Sequence, residues 1–206
     1  MTNQPKTEWT DFGFETVPVN EKQSRVADVF SSVASSYDIM NDLMSGGVHR
    51  LWKDALIDWL APCKGQVLID LAGGTGDIAL RFLKRGGRHV HVVDINPDMI
   101  SAGKKRRDIK AYSNQLDWNV ASAEDIPLKT GTAERVTISF GLRNVTNRDM
   151  ALREAFRVLK PGGRFCCLEF STVQNATFSK LYDLWSFNAL PQLGQMVARD
   201  EAAYRY

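Results

Sequence analysis

Asp70 and Asp77 bracket a run of glycines in DLAGGTGDIA, residues 70–79, and Asp94 follows 18 residues after Gly76. Glycines so placed let a ligand approach the backbone, and a helix starting behind them offers free N–H donors. Read from Gly74, the run fits the dinucleotide pattern Gly74-x-Gly76-x-x-Ala79. The acids point elsewhere. A pyrophosphate on that loop would meet two carboxylates in a confined site, which is electrostatically unfavourable, whereas a cationic ligand reverses the sign. S-adenosylmethionine carries a sulfonium and an amino group and no phosphate, and it suits such a pocket better. Asp94, ending the next strand, is placed to accept both ribose hydroxyls. Taken singly, Asp70 or Asp77 reads equally as a helix cap or turn acid. The set on successive strand ends reads as a cofactor site.

Those residues need a sheet to hold them. Residues 66–72, 89–95, 116–122, 133–139 and 164–171 predict five strands, with helical patterns between most of them. The last such helix runs from Asn147 to Leu159, and Lys160-Pro161-Gly162-Gly163 is expected to turn it off. The alternation predicts an α/β fold, a Rossmann-like, doubly wound and mostly parallel sheet with right-handed crossovers. Open sheets of this kind bind ligands at the carboxyl ends of their strands. That rule adds Ser122 and Ala123, facing an adenine edge, and then Ser139 at the head of SFGLRN, residues 139–144. Gly141 is expected to let the chain turn over the ligand. Upstream, residues 1–22 read as an arm carrying Trp9, Phe12 and Phe14, and residues 22–60 as helices around the irregular stretch 37–52. The division expected is residues 1–60 as arm and helical substrate-side cap, and 61–206 as the Rossmann-like core of a single structural domain. Residues 176–196 read as helix, and no further strand follows, so C-terminal strands read as missing.

With 206 residues, 44% hydrophobic and 24% charged, the chain reads as one soluble domain with a sizeable core. A net charge of +2 gives no case for a nucleic-acid partner, and Lys104-Lys105-Arg106-Arg107 reads as a solvated helix face. Cys63, Cys166 and Cys167 are odd in number and lack metal-ligand spacing. They read as small core residues in a reducing compartment, with no metal expected. No stretch is apolar enough to span a membrane, and the polar N-terminus reads as neither a secretory signal nor a transit peptide. A cytoplasmic protein is the expectation.

Three segments together resemble the family of ubiquinone/menaquinone-biosynthesis C-methyltransferases. They are Tyr37-Asp38-x-Met40-Asn41-x-x-Met44-Ser45-x-x-x-His49-x-x-Trp52, then Ser139-Phe140-Gly141-Leu142-Arg143-Asn144-Val145-Thr146, and Arg157-Val158-Leu159-Lys160-Pro161-Gly162-Gly163 through Leu168 to Glu169-x-Ser171. The last occurs across many methyltransferases, whereas the first two are specific. The resemblance covers residues 8–206. It implies a class I methyltransferase that uses S-adenosylmethionine to methylate a ring carbon of a polyprenylated quinol, either a benzoquinol or a naphthoquinol. Its cofactor positions correspond to Thr75, Asp94, Ser122, Ala123 and Ser139. Position 122 is serine where many members have asparagine, and either side chain can hydrogen-bond. It also implies further C-terminal strands, peripheral contact with the inner membrane, other quinone-biosynthesis enzymes as partners, and a homodimer as one possible assembly.

Such a reaction needs a phenolate stabiliser and a proton acceptor. Arg143 offers a planar, permanently charged fork of donors, and Asn144 could fix a water beside it. The bland alternative pairs Arg143 with Asp149 or Glu154 on the following helix. Tyr37, Asp38 and His49 are candidates for the proton acceptor. A lone histidine more often serves structure, and Asp38 reads equally as a helix cap. Met40, Leu43, Met44 and Trp52 read as core or as the wall of an apolar pocket. Two other readings stand beside this one: a nicotinamide-dependent reductase, carried only by Gly74-x-Gly76-x-x-Ala79, and a non-catalytic subunit of a quinone-synthesis complex.

Overall fold

The computed structural model describes residues 9–12, 15–33, 41–42 and 45–170. Tyr37, Asp38, Met40, Met44 and the helix expected over 176–196 lie outside them. The expected arm contains a small antiparallel hairpin, β1 (Trp9–Phe12) and β2 (Glu15–Pro18), with Trp9 opposite Pro18. The helices α1 (Val19–Val33) and α2 (Val48–Leu60) follow. On α2, Lys53, Leu56, Ile57 and Leu60 are buried at helical spacing, which is the stripe a helix turns towards a core.

The core alternates as expected. Its elements are β3 (Val67–Leu71), α3 (Asp77–Lys84), β4 (His89–Asp94), α4 (Pro97–Lys105), the short α5 (Arg107–Lys110), β5 (Leu116–Val120), β6 (Ala133–Ser139), α6 (Arg148–Val158) and β7 (Leu159–Leu168). All five strands pair in parallel, in the order β5-β4-β3-β6-β7. The chain starts at the centre, winds outward through β4 to β5, then crosses back to β6. The switch point therefore lies between β3 and β6, where such sheets open a crevice at their carboxyl edge. Every residue of β3 is buried, as a strand covered on both faces requires. Leu68 and Ile69, both 0% exposed, each contribute roughly 1.5–3 kcal/mol of burial on opposite faces.

Local chemistry sets the helix starts. Asn96 caps α4, its Oδ1 accepting from the backbone N–H groups of Asp98 and Met99 at 2.8 and 3.2 Å, with Pro97 in the first turn. Asn147 caps α6 in the same way, through Met150 N–H at 3.0 Å.

Two expectations need correction. Lys160-Pro161-Gly162-Gly163 is an irregularity within β7 rather than a turn before it. Leu159 already pairs with Ala133, and pairing resumes at Arg164 opposite Arg135, with Gly162 at φ 76° between them. The cysteines are not core residues: Cys63 and Cys167 are exposed and Cys166 is half-buried. Cys63 sits in the connection after α2, and the other two lie on β7, which among the described residues pairs with β6 alone.

Candidate active site

Strand pairing brings the acids together. Asp70 is opposite Thr137 on β6 and Val92 on β4. It is 1% exposed, and its Oδ1 accepts from the Thr137 hydroxyl at 2.9 Å. Its Oδ2 is buried without a hydrogen-bond partner among the described residues. Burial, with Asp77 and Asp94 adding negative charge, pushes this carboxyl up to about 7, against the Thr137 hydrogen bond and Lys53. Asp77 has the opposite fate. Burial opposes its ionisation, but Lys53 Nζ at 2.9 Å and Arg81 Nε at 3.4 Å outweigh that and hold it below the usual carboxylate range. One acid of the pair is thus neutralised within the fold, and the other is left with an unanswered oxygen.

Asp94 braces the glycine loop. Its Oδ2 accepts from Gly74 N–H and its Oδ1 from Asn96 N–H, both at 2.8 Å. Burial raises its pKa against those two hydrogen bonds. Gly74 has φ 53°, and a Cβ there would lie 2.9 Å from Met99 Cε, so the backbone conformation and the close approach both call for glycine. Arg106, expected on a solvated face, turns inward to Asp108 and to the Thr75 hydroxyl at 3.3 Å. The other three residues of that basic run are exposed.

These groups line one open cavity of about 1080 Å³, counted out into the solvent at its mouth. Of the expected cofactor residues, Asp70, Gly74, Thr75, Asp94, Ser122, Ala123 and Ser139 line it, and Gly76 does not. Gly76 serves packing instead, because a Cβ there would meet Trp118 Cη2 at 2.8 Å. Ser139 Oγ is buried and unpartnered among the described residues. Val26, Ala27 and Phe30 of α1 form part of the wall. S-adenosylmethionine fits this donor set. Its amino and sulfonium charges answer the unpaired Asp70 oxygen, and its ribose hydroxyls can donate to the remaining lone pairs of Asp94.

The segment after β6 forms the other wall, with a different hinge from the one expected. Gly141 has an ordinary φ of −114°, whereas Phe140 takes the left-handed value of 57°. Gly141 is needed for space, since a Cβ there would lie 2.4 Å from the Cβ of Ala72, itself at φ 50°. Phe140 stacks on Phe170 with centroids 4.8 Å apart, and Trp52 meets Phe170 edge-on at 5.9 Å.

Asn144 lines the cavity, and Arg143 stands just outside its lining. Arg143 faces neither Asp149 nor Glu154. Its Nη1 is 3.5 Å from Glu169 Oε1, its backbone N–H donates to Glu169 Oε2 at 3.2 Å, and its guanidinium lies 5.1 Å from the Phe170 ring centroid. Glu154 is occupied by Arg157 and by Ile126 N–H.

His49 does not line the cavity, although Lys53, one helical turn further along α2, does. It is 4% exposed, its Nε2 lies 2.9 Å from Asp42 Oδ1, and burial lowers its pKa against that hydrogen bond. Asp42 is also gripped by Arg50 at 2.7 and 2.6 Å. The other two proton-acceptor candidates, Tyr37 and Asp38, lie outside the described residues.

Sequence reasoning missed Thr137, Asn96, Glu169 and two buried lysines. Lys22 is 1% exposed, and its Nζ donates to the carbonyls of Arg143 and Val145 at 3.1 and 3.4 Å. A signal was present for both lysines. Lys22 precedes Val26 and Phe30, and Lys53 precedes Leu56, Ile57 and Leu60, so each occupies an apolar-stripe position where only a paired cation is stable.

Known proteins share this fold. The fold matches the [4+2]-cyclase SpnF with a TM-score of 0.60 at 20% identity, over 71% of this chain and 60% of that one. It also matches a Methanococcus maripaludis protein described as an S-adenosyl-L-methionine-dependent methyltransferase, with a TM-score of 0.58 at 13% identity over 86% and 77%. Such likenesses establish the fold alone. In sequence, the ubiquinone/menaquinone biosynthesis C-methyltransferase UbiE of Roseobacter denitrificans is 56% identical over 198 residues, 96% of this chain and 79% of that protein. Its counterpart in Brucella anthropi is 52% identical over 199 residues, 95% and 76% respectively. The profile of the ubiE/COQ5 methyltransferase family matches residues 18–206. That match runs from the end of the hairpin to the last residue, and by it the chain belongs to the ubiE/COQ5 methyltransferase family.

Proposed function

We propose that the chain transfers a methyl group from S-adenosylmethionine to a ring carbon of a polyprenylated quinol, the reaction class named in its relatives. The observation that carries this reading is the buried, unpartnered Oδ2 of Asp70 on a cavity that also presents Asp94. When bound, the cofactor supplies an activated methyl group that an electron-rich ring carbon can attack. The chain's own residues do the rest. Asp70 holds the cationic end, Asp94 the ribose, and Ser122 and Ala123 the adenine edge. Residues 1–60 act as the substrate-side cap, since α1 already contributes to the cavity wall. Phe140, Phe170 and Trp52 offer the quinol an aromatic landing beside Arg143.

Arg143 then leaves Glu169 to stabilise the phenolate oxygen, in a setting where a preorganised donor is worth more than in water. Asn144 holds the water that removes the ring proton. Tyr37, Asp38 and His49 stand as alternative acceptors, His49 acting only after release from Asp42. The apolar tail of the substrate calls for peripheral contact with a membrane; among the described residues, no helix is long and apolar enough to cross one.

The nicotinamide reading is not favoured, because a pyrophosphate on this loop would face Asp70 and Asp94. Two measurements test the proposal. Calorimetric titration should give binding of S-adenosylmethionine and none of NADH; the reverse would overturn it. Anaerobic incubation with a short-chain demethylated quinol and methyl-labelled cofactor should label the quinol ring. Cofactor binding without any labelling would instead support the non-catalytic reading.

A further inference from the structure

Away from the cavity, at the amino ends of β4 and β5, three side chains converge on the sheet face. His89 and His91 are two apart on β4 and so share a face, and Asp117 on β5 lies opposite His91 in the parallel register. His89 Nε2 is 2.9 Å and His91 Nδ1 is 3.1 Å from the same oxygen, Asp117 Oδ2. One ligand-capable atom from each of the three residues lies within 4.8 Å of the other two. Four ligands at about 2.0–2.1 Å around a tetrahedral zinc ion are about 3.3 Å from one another. The two histidine–Asp117 separations, 2.9 and 3.1 Å, need to open by only a few tenths of an ångström to admit the ion, and the two histidine nitrogens already lie within 4.8 Å of each other.

Crossover topology explains why the face is free. The connection from β5 to β6 carries no helix, so this part of the sheet is left to polar side chains. An ordinary cross-strand histidine–carboxylate pair would account for His89. It does not account for His91. That nitrogen is buried and 3.1 Å from Asp117 Oδ2, yet it has no hydrogen-bond partner among the described residues.

We propose that His89, His91 and Asp117 bind one divalent transition-metal ion of the zinc class, with water completing the shell, as a clip between edge strand β5 and its neighbour β4. Two imidazoles and one carboxylate suit zinc, nickel or copper and not magnesium or calcium. This site is independent of the methyl-transfer reading, being built from residues that do not line the cavity.

The test is zinc titration of the chelator-stripped full chain, in competition with a chromophoric chelator. The expected result is one equivalent bound tightly, and binding at least about 100-fold weaker in His91→Ala and in Asp117→Asn. Cys63→Ser/Cys167→Ser should bind as the parent does. Zinc should raise the Tm of the parent and of the cysteine variant but not of the other two, and cobalt(II) should give the visible bands of a four-coordinate nitrogen–oxygen site in the same two proteins and not in the others. Asp117→Asn keeps the size of the side chain, so loss of folding does not mimic loss of a ligand. Absence of stoichiometric zinc binding, or undiminished binding in Asp117→Asn, would overturn the proposal.

Discussion

Asp70, the acid proposed to hold the cationic end of the cofactor, is buried on the cavity wall with one oxygen unpartnered among the described residues. Its folded pKa of about 7 stands above the unfolded value of 3.8. Its contribution to stability is therefore fully present below the unfolded value and lost as pH rises through 7. A cationic ligand demands the ionised form, so the linkage runs the other way for binding. The affinity for S-adenosylmethionine is expected to fall about tenfold per pH unit below 7 and to level off just above it. Asp70→Asn should flatten that profile, weaken binding and stabilise the ligand-free chain at pH 8; calorimetry and urea denaturation check each part. Arg143→Ala should leave cofactor binding intact while lowering turnover by about 10²–10³, the loss typical of one anion-stabilising donor. Asp94→Ala should weaken cofactor binding by roughly 10–100-fold, the worth of a charged hydrogen bond. Normal turnover in Arg143→Ala would remove it from the mechanism. The types of these residues were legible in the sequence; their pairing was not. Thr137 reaches Asp70 across 67 residues and Glu169 reaches Arg143 across 26, and such distances close only when strands β3, β6 and β7 register.

Elements, more than residues, explain the shape of the mouth. The turns after β3 and β6 approach so closely that one methyl group fits between them, and it belongs to Ala72. Gly141→Ala adds a second and should cost about 1–3 kcal/mol of stability through overpacking, with slower turnover as Phe140 and Asn144 shift. The exchange Ala72→Gly/Gly141→Ala keeps a single methyl group and places glycine at φ 50°. It should recover most of the loss in urea denaturation, and a failure to recover would mean that the contact is not the cause. Strand and helix order could be read from the alternating pattern, since hydrophobic periodicity reports burial directly. The hinge could not be. A Phe-Gly pair reads as a glycine-centred turn, and only the packing of Ala72 against residue 141 reveals that the glycine gives space while Phe140 takes the strained conformation. Lys22→Met should likewise cost about 1–3 kcal/mol, removing the hydrogen bonds from Lys22 to the Arg143 and Val145 carbonyls.

For the whole molecule, cavity, switch point and family membership agree, and ligand binding should report on all of it at once. Saturation at 100 times Kd adds about 2.7 kcal/mol, which for a chain of this size raises Tm by about 5–10 °C. S-adenosylmethionine should produce that shift in a thermal melt and NADH should not. The architecture was legible because five strand patterns and three acids, Asp70, Asp77 and Asp94, sit in plain order along the chain. The way α1 closes the site was not, since its fastenings are made by single side chains to distant backbone. Lys22 ties α1 to the segment after β6, and Asn96 Nδ2 donates to Ala27 carbonyl and Ser31 Oγ, both at 3.1 Å. Between these two ties lie Val26 and Ala27, which wall the cavity. The consequence is one of timing. If a molecule can leave only after α1 lifts, its residence time is fixed by the protein's own clock, and the methylated and unmethylated forms of the cofactor, however different in affinity, should share a common slowest exit rate.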